Sequence, residues 1–442
     1  MTCPPVGISV HDGDWHTTAD NFADNFNEWV ATWFKLPPTP LSTRLSIGYQ
    51  NVILRSLDGM FFRGLETIPE IAAAGRKFGV DHLSLWDYIT AGNYARPNNL
   101  DVLDYTQREK DTIRKGLAQA KAEGTNVSAL INFRLGNPMS SAYNQAEAVR
   151  NLDGSPRIEN WAGSSYHYTF WTPYLGPVGH VLSPRSESWC RRVYRQTKEY
   201  LELGFTSMFY DQPFQVHPDY SKQEHGEPDE VLAACQDVIA EVRNMLVRND
   251  PEAYMIGEQC SVHTSQYIDV WMSWYNGFEP VERTAFAIPY TINSYPIDGS
   301  AWKASKAFAL GLQLCLCTCG NEQTLQAKPE FAEHVAKLAA LRKRCAARTV
   351  LGRFRHTLSL HTELDEGLCA YAYDSSEGPA VIIAAGGKGG CTDIEVDKGI
   401  FHKEKKGASG TLFFLDGGQK ELANTDKFKC ELAPNEVIVA YC

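Results

Sequence analysis

The chain has 442 residues, 43% hydrophobic and 21% charged, a globular composition long enough for one large domain and an accessory one. Its net charge of −11, with no basic stripe to offset it, argues against a nucleic-acid partner. No apolar run approaches the ~20 residues a membrane-spanning helix needs, and Met1-Thr2-Cys3-Pro4-Pro5 lacks the charged and apolar regions of a signal peptide; a cytoplasmic protein without a membrane partner is expected.

The segment 1–44 reads as a helical lead-in, with a helix over 19–34 capped by Thr17 or Thr18. From 45 to 349, β-rich apolar runs alternate with amphipathic helical stretches. Strands are predicted at 51–55, 80–86, 126–133, 207–211, 253–258, 269–274, 285–290 and 312–318. Helices are predicted at 65–78, 105–123, 187–203, 229–248, 304–311 and 331–347, and a long loop rich in Gly, Pro, Ser and aromatics at 136–184. Strands alternating with helices imply a parallel sheet, and eight such strands imply a closed (β/α)8 TIM barrel. Beyond 350 the helical periodicity ends. The runs 368–373, 380–385, 411–415 and 436–441, set between Gly/Lys/Asp-rich turns, predict a C-terminal all-β sandwich over 350–442.

Twelve cysteines in a chain of this length do not form a disulfide framework. Cys315, Cys317 and Cys319 alternate along one strand and so face one way, but no Cys or His pair at ligand spacing accompanies them. They read as buried thiols, and no metal or cofactor is implied.

In such barrels the chemistry sits at the C-terminal strand ends. Strand four ends in Tyr210-Asp211-Gln212-Pro213 and strand five in Gly257-Glu258-Gln259. An acid directly after an apolar strand is costly unless solvated or paired. Two on adjacent strand ends suit glycoside hydrolysis, with Asp211 as nucleophile and Glu258 as general acid/base. The plainer role for each is to cap the next helix or pair with an arginine such as Arg134. A carboxyl gap of about 5–5.5 Å implies a retaining mechanism and about 6.5–9.5 Å an inverting one.

Substrate-binding candidates follow from the same rule. Trp86 and Asp87 end strand two, Arg134 follows strand three and is placed to orient Asp211, and Gln212 adjoins Asp211. Sugar rings stack on aromatics. Trp161, Tyr166, Tyr168, Phe170, Trp171 and Tyr174 crowd the long loop, and Trp271, Trp274 and Tyr275 lie at strand six. Trp171 and Trp274 are the preferred stacking residues, although aromatics in barrel loops more often simply pack.

At Phe209-Tyr210-Asp211-Gln212-Pro213, at the downstream His225-Gly226 and at Ile256-Gly257-Glu258, the chain resembles an uncharacterised family of glycosidase-like barrels. That family is itself similar to the endo-α-N-acetylgalactosaminidase and α-amylase groups. His11-Asp12-Gly13-Asp14-Trp15 also resembles the segment that leads into such barrels. The resemblance implies an aspartate nucleophile on strand four, an acid/base glutamate on strand five, and an oligosaccharide or glycoside substrate. The pattern departs twice: the arginine two residues before the nucleophile is Phe209, and the His-Asp pair of strand seven is missing from Ile288-Pro289-Tyr290-Thr291-Ile292-Asn293. Both departures argue against an α-glucan substrate.

A second reading resembles the α-galactosidase clan and puts the acid at strand six, on Glu279 or Glu282, leaving Glu258 to bind substrate. A Schiff-base lyase would need a strand-end lysine, absent from strands two to eight. His82 begins its strand and His263 stands alone, which disfavours a metal-dependent hydrolase. A non-catalytic carbohydrate-binding barrel is the alternative outside enzymes.

Overall fold

Eight parallel strands close a barrel: β1 Gly48–Arg55, β2 His82–Asp87, β3 Asn126–Asn132, β4 Ser207–Asp211, β5 Met255–Glu258, β6 Val270–Met272, β7 Ile292–Ile297 and β8 Gln313–Cys317. Each pairs with its neighbours in sequence order, and β1 pairs with β8 to complete the ring. The computed structural model describes residues 10, 12–29, 35–55, 62–87, 105–132, 134–136, 138, 143–160, 178–213, 216–221, 226–258, 266–273, 277–317, 324–397 and 410–442, with backbone alone at 25–29, 55, 87, 160 and 178.

Side chains alternate along each strand, so every strand has an inward and an outward row. Tyr49, Leu130, Phe209, Ile256, Val270, Met272 and Cys315 fill the barrel interior. Outward rows such as Leu83 and Leu85, or Val127, Ala129 and Ile131, pack against the helices. Those helices are α2 Ile68–Lys77, α3 Gln107–Ala122, α4 Glu187–Leu203, α5 Val231–Asn249, α6 Glu279–Ala287, α7 Ala301–Ala309 and α8 Pro329–Cys345, preceded by α1 Trp15–Trp29. Among the described residues none is long and apolar enough to cross a membrane. Cys315 and Cys317 are buried on the inward face of β8 and are free thiols, as expected; Cys319 lies outside the described residues.

The C-terminal part is a β-sandwich. One antiparallel sheet contains β9 Arg353–His356, β11 Leu368–Asp374, β12 Ala380–Ala385, β17 Val437–Tyr441, β14 Gly410–Phe414 and β15 Gln419–Leu422, in that order across the sheet. The other contains β10 Leu360–Leu364, β13 Gly390–Val396 and β16 Lys427–Leu432. Val381, Ile383, Ile394, Phe428 and Ile438 meet between them. Strands β9, β10, β13, β15 and β16 carry no clear strand signal in the sequence because charged or polar residues dilute their apolar rows, as in Lys427-Phe428-Lys429-Cys430-Glu431-Leu432.

Three expectations are corrected. Helix α1 begins at Trp15, and its cap is Asp14, whose Oδ1 accepts from the His16 amide at 3.0 Å, rather than Thr17 or Thr18. The run 285–290 is no strand: α6 covers Glu279–Ala287, with acids and a proline in its first turn, which favour a helix start. Strand seven is Ile292–Ile297, hidden in the sequence by inward Ser294 and Pro296. Finally, the 136–184 loop contains part of a small antiparallel sheet formed by Leu135–Gly136, Ile158–Asn160 and Val178–Val181.

Candidate active site

The parity of the strands brings the two predicted acids together. Register pairs Tyr210 with Gly257, so the next inward positions on adjacent strands are Asp211 and Glu258. They are 7% and 8% exposed at the C-terminal end of the barrel, where the βα loops gather. Their carboxyl groups lie within hydrogen-bonding reach of each other. Burial, and then the adjacent Glu258, push the Asp211 carboxyl well above its ordinary range. Two buried carboxylates in contact cannot both ionise cheaply, which is the condition for one to act as an acid at neutral pH while the other acts as a base or nucleophile.

On the other side of Asp211, β3 ends in Asn132, directly opposite it in register. Asn132 Nδ2 donates to Asp211 Oδ2 at 2.8 Å. The sequence points to the neighbouring Arg134 for this role. The signal was available: Ser128, Leu130 and Asn132 share the inward row, and an inward polar residue at a strand end is placed for function.

Arg134 lies one layer out. Its Nη1 donates to Glu159 Oε2 at 2.8 Å and to Gln212 Oε1 at 3.3 Å, and Nη2 lies 2.9 Å from His217 Nε2. Burial draws Glu159 upward, but His217 and Arg134 outweigh it and hold this carboxylate at about 2. The cluster pins the small sheet to the end of β4. Gln212 is buried there with φ at 55°, a left-handed conformation that a non-glycine residue adopts at a cost. Such strain directly after Asp211 marks a place where geometry is over-determined.

Trp86 is a core residue: its indole N–H donates to Ser84 Oγ at 3.1 Å and its ring meets Phe209 edge-on at 5.3 Å. Trp271 packs outward among the helices. The side chain of Asp87 and the residues Phe133, Trp161, Tyr166, Tyr168, Phe170, Trp171, Tyr174, His225, Gln259, His263, Trp274 and Tyr275 lie outside the described residues.

Neither acid of the strand-six alternative is on a strand. Glu279 is on the surface of α6 and pairs with Arg283, while Glu282 faces Lys306, His356 and Tyr371. The position of strand seven brings in a residue that carries no strand-end signal in the sequence. With β7 ending at Ile297, Asp298 stands at the same end of the barrel as Asp211 and Glu258. Asp298 Oδ2 accepts from Lys303 Nζ at 2.6 Å. Among the described residues no group of three or more His, Cys, Asp or Glu is arranged to hold a metal ion.

No family model matches the sequence, and no curated protein matches it. Solved structures do match the fold. A maltogenic α-amylase of Thermotoga neapolitana superposes with a TM-score of 0.63 at 10% identity, over 91% of this chain and 99% of that one. An α-amylase of Geobacillus thermoleovorans, solved with acarbose, gives 0.58 at 10% identity, over 90% and 99%. An α-N-acetylgalactosaminidase of Bifidobacterium bifidum gives 0.60 at 14% identity, over 84% and 62%. The chain thus has the barrel-plus-β-domain fold of these structures, as its strand-four and strand-five motifs implied.

Proposed function

We propose that this protein is a retaining O-glycosidase acting on an oligosaccharide or glycoside, with Asp211 as nucleophile and Glu258 as general acid/base. The observation that carries the reading is the buried, hydrogen-bonded Asp211–Glu258 pair at the C-terminal end of the barrel. The fold's likeness to amylases and an α-N-acetylgalactosaminidase supports it.

In the first step an Asp211 carboxylate oxygen bonds to the anomeric carbon as the glycosidic C–O bond breaks, and Glu258 gives its proton to the departing oxygen. In the second, water attacks the same carbon, Glu258 takes its proton, and the bond to Asp211 breaks. The closeness of the two carboxyls on neighbouring strand ends supports retention over inversion, which needs a water held between them. A glycosidic oxygen entering the site displaces their mutual hydrogen bond. Asp298, which follows β7, is the candidate third carboxylate that would steady the positive charge developing on the sugar.

The test is turnover on a panel of aryl glycosides and oligosaccharides by the wild type, Asp211→Asn and Glu258→Gln. Loss of turnover in both variants, with the fold kept, is expected. Undiminished turnover in either would remove that residue from the mechanism. Binding of glycans without turnover by the wild type would identify a carbohydrate-binding barrel.

A further inference from the structure

Cys315 and Cys317 stand two positions apart on β8 and both face the barrel interior, 0% and 9% exposed. Their Sγ atoms lie 3.1 Å apart. On β1, in register with Cys317, Asn51 donates from Nδ2 to Cys317 Sγ at 3.4 Å. Asn51 Oδ1 is buried and meets no hydrogen-bond donor among the described residues. Glycoside cleavage by Asp211 and Glu258 uses none of these three side chains, yet Cys315 is close enough to Glu258 to feel its charge.

A direct sulfur–sulfur bond suits this pair poorly. Alternate residues of a strand have Cα atoms about 6.6–6.8 Å apart, at the upper end of what a disulfide spans. A bridging atom about 2.3 Å from each sulfur, at a tetrahedral angle, spans about 3.8 Å. A small turn of the two side chains provides that gap. Charge then selects the bridge. Burial, and then Cys317 beside it, push the Cys315 thiol well above its ordinary range, so a lone thiolate is disfavoured there. A divalent cation that displaces one proton from each thiol leaves a neutral unit, which a buried site tolerates. A monovalent one would leave a negative charge beside Glu258. Thiolates also select soft cations over Mg2+ or Ca2+. We propose that Cys315 and Cys317 chelate a thiophilic divalent cation of the Zn2+ or Cd2+ kind, and that Asn51, once its amide turns, supplies Oδ1 as a third donor. Two thiolates are half the ligands of a structural zinc site, so the cation is one that a chelator removes without unfolding the chain. Bound there, it sits beside Glu258 and shuts off turnover. That consequence rests on the role proposed above for Glu258; the binding does not.

The test is titration of the reduced full chain with Cd2+, which needs no substrate. The wild type should gain the ultraviolet thiolate-to-metal charge-transfer band in a step that releases two protons per cation, and EDTA should reverse it. Cys315→Ala and Cys317→Ser should each lose that step, whereas Cys430→Ser, in the core of the sandwich, should keep it. Mg2+ should neither produce the band nor compete for the site. A wild type without the band would overturn the proposal, and so would an undiminished band in both folded cysteine variants of β8. On any glycoside that the wild type cleaves, Cd2+ should abolish turnover, and the turnover that Cys317→Ser retains should withstand it. Cd2+ bound in this way with wild-type turnover intact would overturn the link to Glu258. A chain that binds Cd2+ through both thiols but cleaves no glycoside would keep the metal site and remove the glycosidase reading, so the two failures are distinguishable.

Discussion

His16 Nε2 lies 2.7 Å from His356 Nδ1, across 340 positions of sequence. The contact joins α1, which precedes the barrel, to β9, the first strand of the sandwich. It extends at both ends: Asp14 Oδ2 lies 2.8 Å from His16 Nδ1, and Glu282 Oε2 of α6 lies 3.4 Å from His356 Nε2. Asp20, one turn further along α1, accepts from Arg353 at 2.9 Å and from Arg355 at 2.8 Å. His356 takes a left-handed φ of 53°, so its position is held at some cost.

These contacts make α1 a clasp between barrel and sandwich. Replacing His16, which is 5% exposed, by alanine removes a part-buried hydrogen bond at each ring nitrogen. We expect His16→Ala to lose about 1–3 kcal/mol of stability and to speed amide exchange through Trp15–Trp29. Exchange in α1 that matches the wild type would show that the histidine pair does not tether the helix.

The acid pair should reveal itself as a site where stability is sacrificed. Burial and Glu258 raise the Asp211 carboxyl well above its ordinary value near 3.8. A carboxyl raised in the folded state favours folding below its unfolded pKa, and that contribution is lost as pH rises toward the folded one. Asp211→Asn has no such dependence. It should melt higher than the wild type at pH 7, by about 2 °C or more, with the difference shrinking as the pH falls toward 4. A variant that melts lower than the wild type at pH 7 would mean that the carboxylate is stabilised by partners that outweigh its burial.

Much of this molecule was legible from two periodicities. Helix α4 and strand β4 fall where the sequence predicts them, at 187–203 and 207–211, because apolar spacing, the Ser186 cap and the Gly204 terminator all agree there. Strand seven failed because its inward residues are polar or proline: Ser294 turns to Tyr49 across the barrel, at 3.0 Å, so hydropathy marks the adjoining helix instead. Asp211 and Glu258 were recognisable because each ends an apolar strand. Asn132 is a less obvious candidate than the charged Arg134 because only strand parity, counted on from the inward Leu130, marks it as inward. Glu159 and His217 carry no local signal, being joined to Arg134 by the return of a long excursion.

The Arg134–Glu159 pair makes a prediction about acid. Burial raises Glu159, but His217 and Arg134 prevail and hold it at about 2, below its ordinary 4.5. A carboxyl depressed in the folded state stabilises above its unfolded pKa, and that contribution is lost as pH falls through the folded one. Glu159→Gln should therefore melt below the wild type at pH 6, with the gap closing between about 4.5 and 2. Thermal scans across that window decide it. A gap independent of pH would assign the loss to packing rather than charge.

Asp298 separates a catalytic reading from a purely structural one. Its partner Lys303 is 2.6 Å away, and the side chains are 45% exposed for Lys303 and 63% for Asp298. A pair so wet contributes about 0–1 kcal/mol, so Asp298→Asn should leave the melting temperature nearly unchanged. If this carboxylate faces the developing positive charge on the sugar, the same variant should lower kcat by about 100- to 1,000-fold, as loss of one preorganised electrostatic contact does elsewhere. KM should move far less, because the interaction strengthens only in the transition state. Steady-state kinetics on the best substrate of the panel, read beside a thermal scan, provide the comparison. An unchanged kcat with an unchanged melting temperature would reduce Asp298 to a solvated rim residue, and the chemistry would then rest on Asp211 and Glu258 alone.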